Sequence, residues 1–189
     1  MKTNGRNMTQ NMSRNDVFWT GDGANASSVT DKWDTPQDLL EHLSTAFSWD
    51  LDVCASYPNV CEHYYSESDN GLMLPWVGLC WCNPPYGKTA KEGVGAWLDK
   101  GALAATQGAT VVFLLPSRTG TRWFHKAVCE ASLVVFIKGR LKYGDQSGSA
   151  PFDSCIIVYG ELTCPQVISL SSLGWAVLSQ PLDNALGLE

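Results

Sequence analysis

Apolar residues follow two kinds of pattern along this 189-residue chain. Short unbroken apolar runs bounded by turn residues predict buried strands over 77–82, 109–115, 132–137 and 153–159. Within 49–55, Leu51 and Val53 alternate with Asp50, Asp52 and Cys54, a strand with one polar face. Between these runs the spacing turns helical. Leu39, Leu40, Leu43 and Phe47 predict one helix, 96–105 a second that stops near Gly108, and 119–131 a third. Thr35 and Pro36 open the first of them, as N-cap and first helical residue. Strands alternating with helices predict an α/β fold with helices covering a sheet. Residues 1–30, rich in Asn, Gly, Ser and Thr, predict a flexible arm, broken by Val17-Phe18-Trp19, ahead of a single domain over 31–189. The stretch 162–189 carries no readable chemistry; it finishes the fold or forms a subunit contact.

Composition narrows the class. A hydrophobic content of 44% with eight tryptophans describes a folded protein with one core. No apolar run approaches a membrane span, and the polar start, Met1 to Asn15, lacks the apolar core of a secretory signal, so a cytoplasmic protein is expected. The seven cysteines include no Cys-x-x-Cys pair, and Cys54, Cys80, Cys82, Cys129 and Cys155, all in apolar runs, read as small buried hydrophobes in a reducing compartment. Cys80 and Cys82 share a strand face, but with no second pair and only three histidines no metal site is expected.

The formal net charge of −6 argues against nonspecific nucleic-acid binding, but its distribution is uneven. Between Arg118 and Lys142 stand six basic residues against Glu130 alone, a local charge of +5 that leaves −11 for the rest. That segregation permits a basic face on an acidic protein; the alternative is a solvated charged surface.

The most informative stretch is Asn83-Pro84-Pro85-Tyr86, directly after the run 77–82. Two prolines stop the strand, because neither has an N–H to donate, and Pro84 pushes Asn83 toward extended backbone. The asparagine is thus held at a strand end, where open α/β sheets bind ligands. Its side-chain oxygen and the Pro84 carbonyl are two fixed acceptors. Together they suit a planar amino group, and Tyr86 offers a flat face for a ring. Gripping both hydrogens of such an amine frees its lone pair for attack, through preorganised dipoles and not a general base. The plain alternative is a Pro-Pro turn between a strand and a helix.

The tetrapeptide in this setting resembles the catalytic motif of S-adenosylmethionine-dependent amino-methyltransferases. Further segments follow in one order. Trp33-Asp-Thr-Pro36 is similar to the opening of Dam-like adenine methyltransferases, Asp52-Val-Cys-Ala-Ser56 to their acidic strand end, and Asp69-Asn-Gly-Leu72 to the turn before their catalytic strand. Phe136 to Tyr143 and Ala150 to Ser154 resemble their Gly-Arg and Pro-Phe-x-Ser segments. The closest likeness is to the small Dam-type DNA N6-adenine methyltransferases of phages and prophages, over about Trp33 to Tyr159.

The resemblance implies a three-layer, Rossmann-like methyltransferase sheet with helices on both faces, here with little room for the usual number of strands. It implies that Asn83, Pro84, Pro85 and Tyr86 carry the catalysis. It places Thr35, Pro36, Asp52, Cys54, Ala55 and Asp69 at S-adenosyl-L-methionine, Asp52 on its ammonium and Asp69 on its adenine amino group. The ribose carboxylate is not clearly placed, with Glu62 the nearest candidate. Lys88, Arg118, Arg122, Arg140 and Tyr143 would meet double-stranded DNA, Tyr143 at an extruded base and Arg140 at a phosphate or base edge. For Asp52, Asp69, Arg140 and Tyr143 the alternatives are a capping carboxylate, a turn residue, a surface arginine and a core-edge ring. The chain departs from the family in lacking Gly-x-Gly after Asp52. The expected activity is transfer of a methyl group to adenine N6, with GATC as the site that relatives suggest. The rivals are an RNA-adenine or protein-glutamine methyltransferase with the same tetrapeptide, and a nucleic-acid-binding relative without turnover.

Overall fold

The computed structural model describes residues 33–56, 60–86, 93–144 and 149–178. The arm over 1–30 and Lys88 therefore lie outside the described residues. Among the described residues, four helices and six strands follow one another. They are α1 (Gln37–Ser44), β1 (Leu51–Asp52), β2 (Leu79–Cys82), α2 (Val94–Thr106), β3 (Thr110–Pro116), α3 (Arg122–Glu130), β4 (Leu133–Ile137), β5 (Ser154–Tyr159), α4 (Cys164–Ser171) and β6 (Gly174–Leu178).

The strands form one open sheet in the order β1-β2-β3-β5-β4-β6. β1, β2 and β3 are parallel. β5 runs against both β3 and β4, and β6 runs against β4. The C-terminal ends of β1, β2, β3 and β4 therefore open on the same edge, where β5 and β6 begin.

Both faces of the sheet are covered, which explains the unbroken apolar runs. Val111, Phe113 and Leu115 of β3 point to one side with Cys80, Cys82, Ile157 and the buried residues of α2 and α3. Val112 and Leu114 point to the other, with Trp81, Ile156, Leu39 and Leu43 of α1 and Leu170 of α4. This is the expected three-layer α/β arrangement, in keeping with a Rossmann-like methyltransferase fold. Cys80, Cys82 and Cys155 are buried as expected, but Cys54 is half-buried and Cys129 is exposed on α3.

Helix ends follow their local chemistry. Gly108 closes the turn after α2 at φ +94°, and the Thr121 hydroxyl accepts from the Phe124 N–H to cap α3. The start of α1 departs from expectation. Gln37 is the first helical residue, Pro36 is the N-cap, and no side chain caps the helix. The Thr35 hydroxyl has a different partner, described below.

The segment between β1 and β2 is largely irregular, with one bridge and one turn of 3-10 helix. Tyr64 forms a parallel bridge with Asp52, a single-residue extension of the sheet beyond β1. The turn Gly71–Met73 follows Asn70 at φ +55° and is docked tightly. A Cβ on Gly71 would lie 2.1 Å from the Val53 carbonyl oxygen, and the Trp76 indole N–H donates to the Gly71 carbonyl at 2.8 Å. The C-terminal stretch, read only as finishing the fold or as a subunit contact, supplies α4 and β6. His42 on α1 meets the Ser169 carbonyl at 3.0 Å and the Ser172 hydroxyl at 3.1 Å, tying α4 to α1.

Candidate active site

Strand β2 lies between β1 and β3, so its C-terminal end opens at the middle of the parallel half of the sheet. There the chain enters Asn83-Pro84-Pro85-Tyr86, with Pro84 buried and the other three half-buried. The Asn83 side chain is fixed from two sides. Its Nδ2 donates to the Trp33 carbonyl at 2.6 Å and to Thr35 Oγ1 at 2.9 Å. Its Oδ1 accepts from the Tyr86 hydroxyl. A carbonyl can only accept, so the Trp33 oxygen dictates which end of the amide faces it. Oδ1 has two lone pairs, and Tyr86 occupies one of them.

The Tyr86 hydroxyl also lies 2.9 Å from the Leu114 carbonyl oxygen. The ring stands edge-on to Tyr143 and Phe152, with centroids 6.4 and 5.9 Å away. Trp33 packs edge-on to the same two rings, at 5.5 Å and 5.0 Å. Trp33, Tyr86, Tyr143 and Phe152 thus form one aromatic cluster, joined to the asparagine through the Tyr86 hydroxyl and the Trp33 carbonyl. Burial holds the Tyr86 phenol well above its ordinary pKa and pushes Tyr143 up to about 12, so both are neutral donors near neutral pH.

The remaining expected residues divide between this edge and elsewhere. Thr35 and Pro36 are beside Asn83, and Pro36 is buried. Asp52 is 3% exposed at the end of β1, next to β2. Its carboxylate accepts from the N–H groups of Cys54 at 3.2 Å and Val60 at 3.4 Å. Burial raises its pKa to about 6, opposed by those two hydrogen bonds. Cys54 and Ala55 follow it, both half-buried, and Ala55 N–H donates to the Tyr65 carbonyl at 2.9 Å. Asp69 is exposed, on the turn that Gly71 docks against Val53. The Ser66 hydroxyl and N–H both donate to it and lower its pKa. Glu62 is exposed in the same irregular segment.

Of the residues expected at DNA, Arg118 is exposed just beyond β3, and Arg140 is exposed beyond β4, pairing with Asp153 at 3.4 Å. Arg122 is exposed at the first position of α3. Tyr143 sits in the core at 1% exposure, with its hydroxyl 2.9 Å from Ser154 Oγ. The basic stretch is also less free than its composition suggests. Lys126 pairs with Asp99 at 2.7 Å across α2 and α3 and lies 4.0 Å from Glu130.

Trp33, Leu114, Phe152 and Ser154 contact the candidate site residues, yet none of them has a role assigned from sequence. Trp33, Phe152 and Ser154 stand inside the quoted Trp-x-Thr-Pro and Pro-Phe-x-Ser segments, which was the available signal. The Leu114 carbonyl has no signal, because any residue there would supply it.

The geometry agrees with what comparison with known proteins finds. The family model described as DNA N-6-adenine-methyltransferase (Dam) matches residues 23–166, a span that runs from before Trp33 through β5. The chain belongs to the Dam family. Two phage proteins, each described as a DNA N-6-adenine-methyltransferase, are similar in sequence. One, from Escherichia phage T1, is 30% identical over 118 residues, 60% of this chain and 48% of that protein. The other, from Haemophilus phage HP1, is 32% identical over 114 residues, 58% of this chain and 64% of that protein. The chain thus matches about half of one relative and less than two thirds of the other. The Dam-family match covers α1, the four parallel-running strands and the tetrapeptide. It ends within α4, so β6 lies outside it.

Proposed function

We propose that this Dam-family chain is a DNA adenine-N6 methyltransferase that uses S-adenosyl-L-methionine as its methyl donor. One observation carries the reading: the Asn83 amide is held by two acceptors on its nitrogen, so its oxygen end is fixed at the end of β2, the strand next to the one that ends in Asp52. Family membership and the two phage relatives support adenine in DNA over RNA or a protein amide.

The donor set suits the cofactor. Asp52 is a buried carboxylate that accepts two long backbone hydrogen bonds among the described residues, and burial raises its pKa to about 6. An amino-acid ammonium would supply a counter-charge. Thr35 and Pro36 would lie at the methionine part, with Cys54 and Ala55, and Asp69 would accept from an adenine amino group. When bound, the cofactor supplies an electrophilic methyl group on a sulfonium.

The chain's own residues do the rest. The target adenine must leave the duplex, which costs a few kcal/mol. Tyr86 gives its ring a face to stack on. Asn83 Oδ1 and the Pro84 carbonyl accept from its amino group and orient the nitrogen lone pair for in-line attack. The gain comes from fixed dipoles and proximity, with the proton lost from nitrogen after transfer. Arg118, Arg122, Arg140 and Lys88 would contact the DNA backbone or base edges. We place this activity in one domain beginning near residue 31, acting in the cytoplasm of a host cell, with GATC the first sequence to test.

The test is sequencing for modified adenine in DNA from cells expressing the parent or Asn83→Ala. The parent should leave N6-methyladenine in a defined sequence context. Asn83→Ala should lower turnover about a hundredfold or more, by analogy with loss of one oxyanion-hole donor. Equal methylation by both, or none by the parent, would overturn the reading.

A further inference from the structure

An asparagine amide has ends of nearly equal size and opposite chemistry. Turned the wrong way, Asn83 would present two N–H donors to an amino group, which is itself a donor. Something must therefore choose its orientation, and the tetrapeptide alone does not. We infer that Thr35 is a positioning residue: the Trp33 carbonyl selects which end of the Asn83 amide faces it, and the Thr35 hydroxyl, accepting from the same Nδ2, anchors the amide in that orientation with its oxygen turned to the substrate. This rests on the function proposed above and adds to it a residue that acts through Asn83.

Three observations carry the inference. Nδ2 lies 2.6 Å from the Trp33 carbonyl oxygen and 2.9 Å from Thr35 Oγ1, so a reversed amide would put oxygen against a group that can only accept. The contact spans 48 residues of sequence, so local geometry does not impose it. Thr35 is also a residue type that caps helices, yet α1 has Pro36 as its N-cap and no side-chain cap, while the Thr35 hydroxyl meets Asn83. The Trp33 carbonyl is in turn fixed by its ring, packed edge-on against Tyr143 and Phe152. The first residues of α1 thereby set the catalytic amide at the end of β2.

The experiment compares parent, Thr35→Val, Thr35→Ser, Asn83→Ala and Thr35→Val/Asn83→Ala. It measures methyl transfer to duplex oligonucleotides, cofactor binding by calorimetry, and hydrogen exchange of the Asn83 side-chain amide by NMR. Losing one hydrogen bond that orients a reacting group should lower kcat by about five- to tenfold in Thr35→Val. The loss in kcat should exceed any loss in cofactor affinity, and the KM for DNA should change little. Thr35→Ser keeps the oxygen and should restore most of the rate. In the Asn83→Ala background Thr35→Val should cost nothing further, because the residue acts only through Asn83. The Asn83 amide protons should exchange faster in Thr35→Val than in the parent.

The inference is overturned by full turnover in Thr35→Val, by loss of cofactor affinity with kcat unchanged, or by an equal loss in both backgrounds. Should Thr35→Val not fold, Thr35→Cys, whose sulfur is a weak acceptor, replaces it. A parent that methylates no adenine defeats the proposed function, while amide exchange still decides whether Thr35 holds Asn83.

Discussion

Tyr86 donates its hydroxyl to the side-chain oxygen of Asn83, the atom that would receive the substrate amine. In this state the ring stands edge-on to Tyr143 and Phe152, and the hydroxyl takes one lone pair of the Asn83 oxygen. The tyrosine therefore has two separable properties, a polar tip that closes the site and a flat face for a base.

Those properties can be separated by mutation. Tyr86→Phe removes the tip, a single donor shared between Asn83 Oδ1 and the Leu114 carbonyl, and should cost about 1–3 kcal/mol of stability. It should keep turnover, because the ring remains. Tyr86→Ala removes the stacking face, worth about 1–3 kcal/mol, and should lose about ten- to a hundredfold in kcat/KM. Methylation rates and thermal melts of the pair check this; equal loss of rate in both would show that the hydroxyl acts in catalysis.

Asp52 should make cofactor binding depend on pH. The carboxylate must be ionised to pair with an ammonium, and its folded pKa is about 6 against 3.8 in the unfolded chain. Affinity should therefore be level above pH 6 and fall by up to about tenfold per unit below it. Asp52→Asn should bind weakly at every pH. Calorimetry between pH 5 and 8 would show either this slope or its absence.

The same group has an opposite effect on stability. Its folded pKa is raised, so the native state holds the proton more tightly than the unfolded chain. Its contribution is fully favourable below about pH 4 and is lost as pH rises through 6, a change on the order of 2–3 kcal/mol. Denaturant titrations should show Asp52→Asn losing this part of the pH dependence. A parent and variant with parallel pH–stability curves would refute it.

Gly71 lies against the Val53 carbonyl with no space for a side chain. Gly71→Ala forces backbone apart at the end of β1 and should destabilise by about 1–3 kcal/mol. If the Asp69 turn binds the cofactor, affinity for it should fall by more than stability predicts. A variant with parental affinity at a temperature where it is fully folded would remove Asp69 from the cofactor site.

Charge distribution makes a further distinction among basic residues. Arg118 is exposed at the catalytic edge, whereas Lys126 is paired with Asp99 between α2 and α3. If Arg118 neutralises a phosphate, Arg118→Ala should reduce the salt dependence of DNA affinity by about one unit of log–log slope. Lys126→Ala should leave that slope unchanged. Fluorescence anisotropy across a salt series measures both, and equal slopes for all three proteins would mean that Arg118 makes no phosphate contact.

Much of this architecture is written locally. The run 109–115 announces β3 because a strand covered on both faces needs apolar residues at every position. The catalytic turn is equally local, because two prolines end a strand whatever surrounds them. The order of motifs is also a property of the chain alone, and it points to the family before any contact is known.

The tertiary structure decided which partners those residues meet. Thr35 has the chemistry of a helix cap, but its hydroxyl binds Asn83 because the start of α1 lies beside the end of β2. Tyr143 stands in a polar, basic loop by sequence, yet packing places it in the core with Ser154. Lys126 reads as part of a basic stretch, but the neighbouring helix brings Asp99 to it. A hydroxyl, a ring or an ammonium carries its chemistry in its own residue. Its partner depends on which elements pack together, and only the closed fold fixes that.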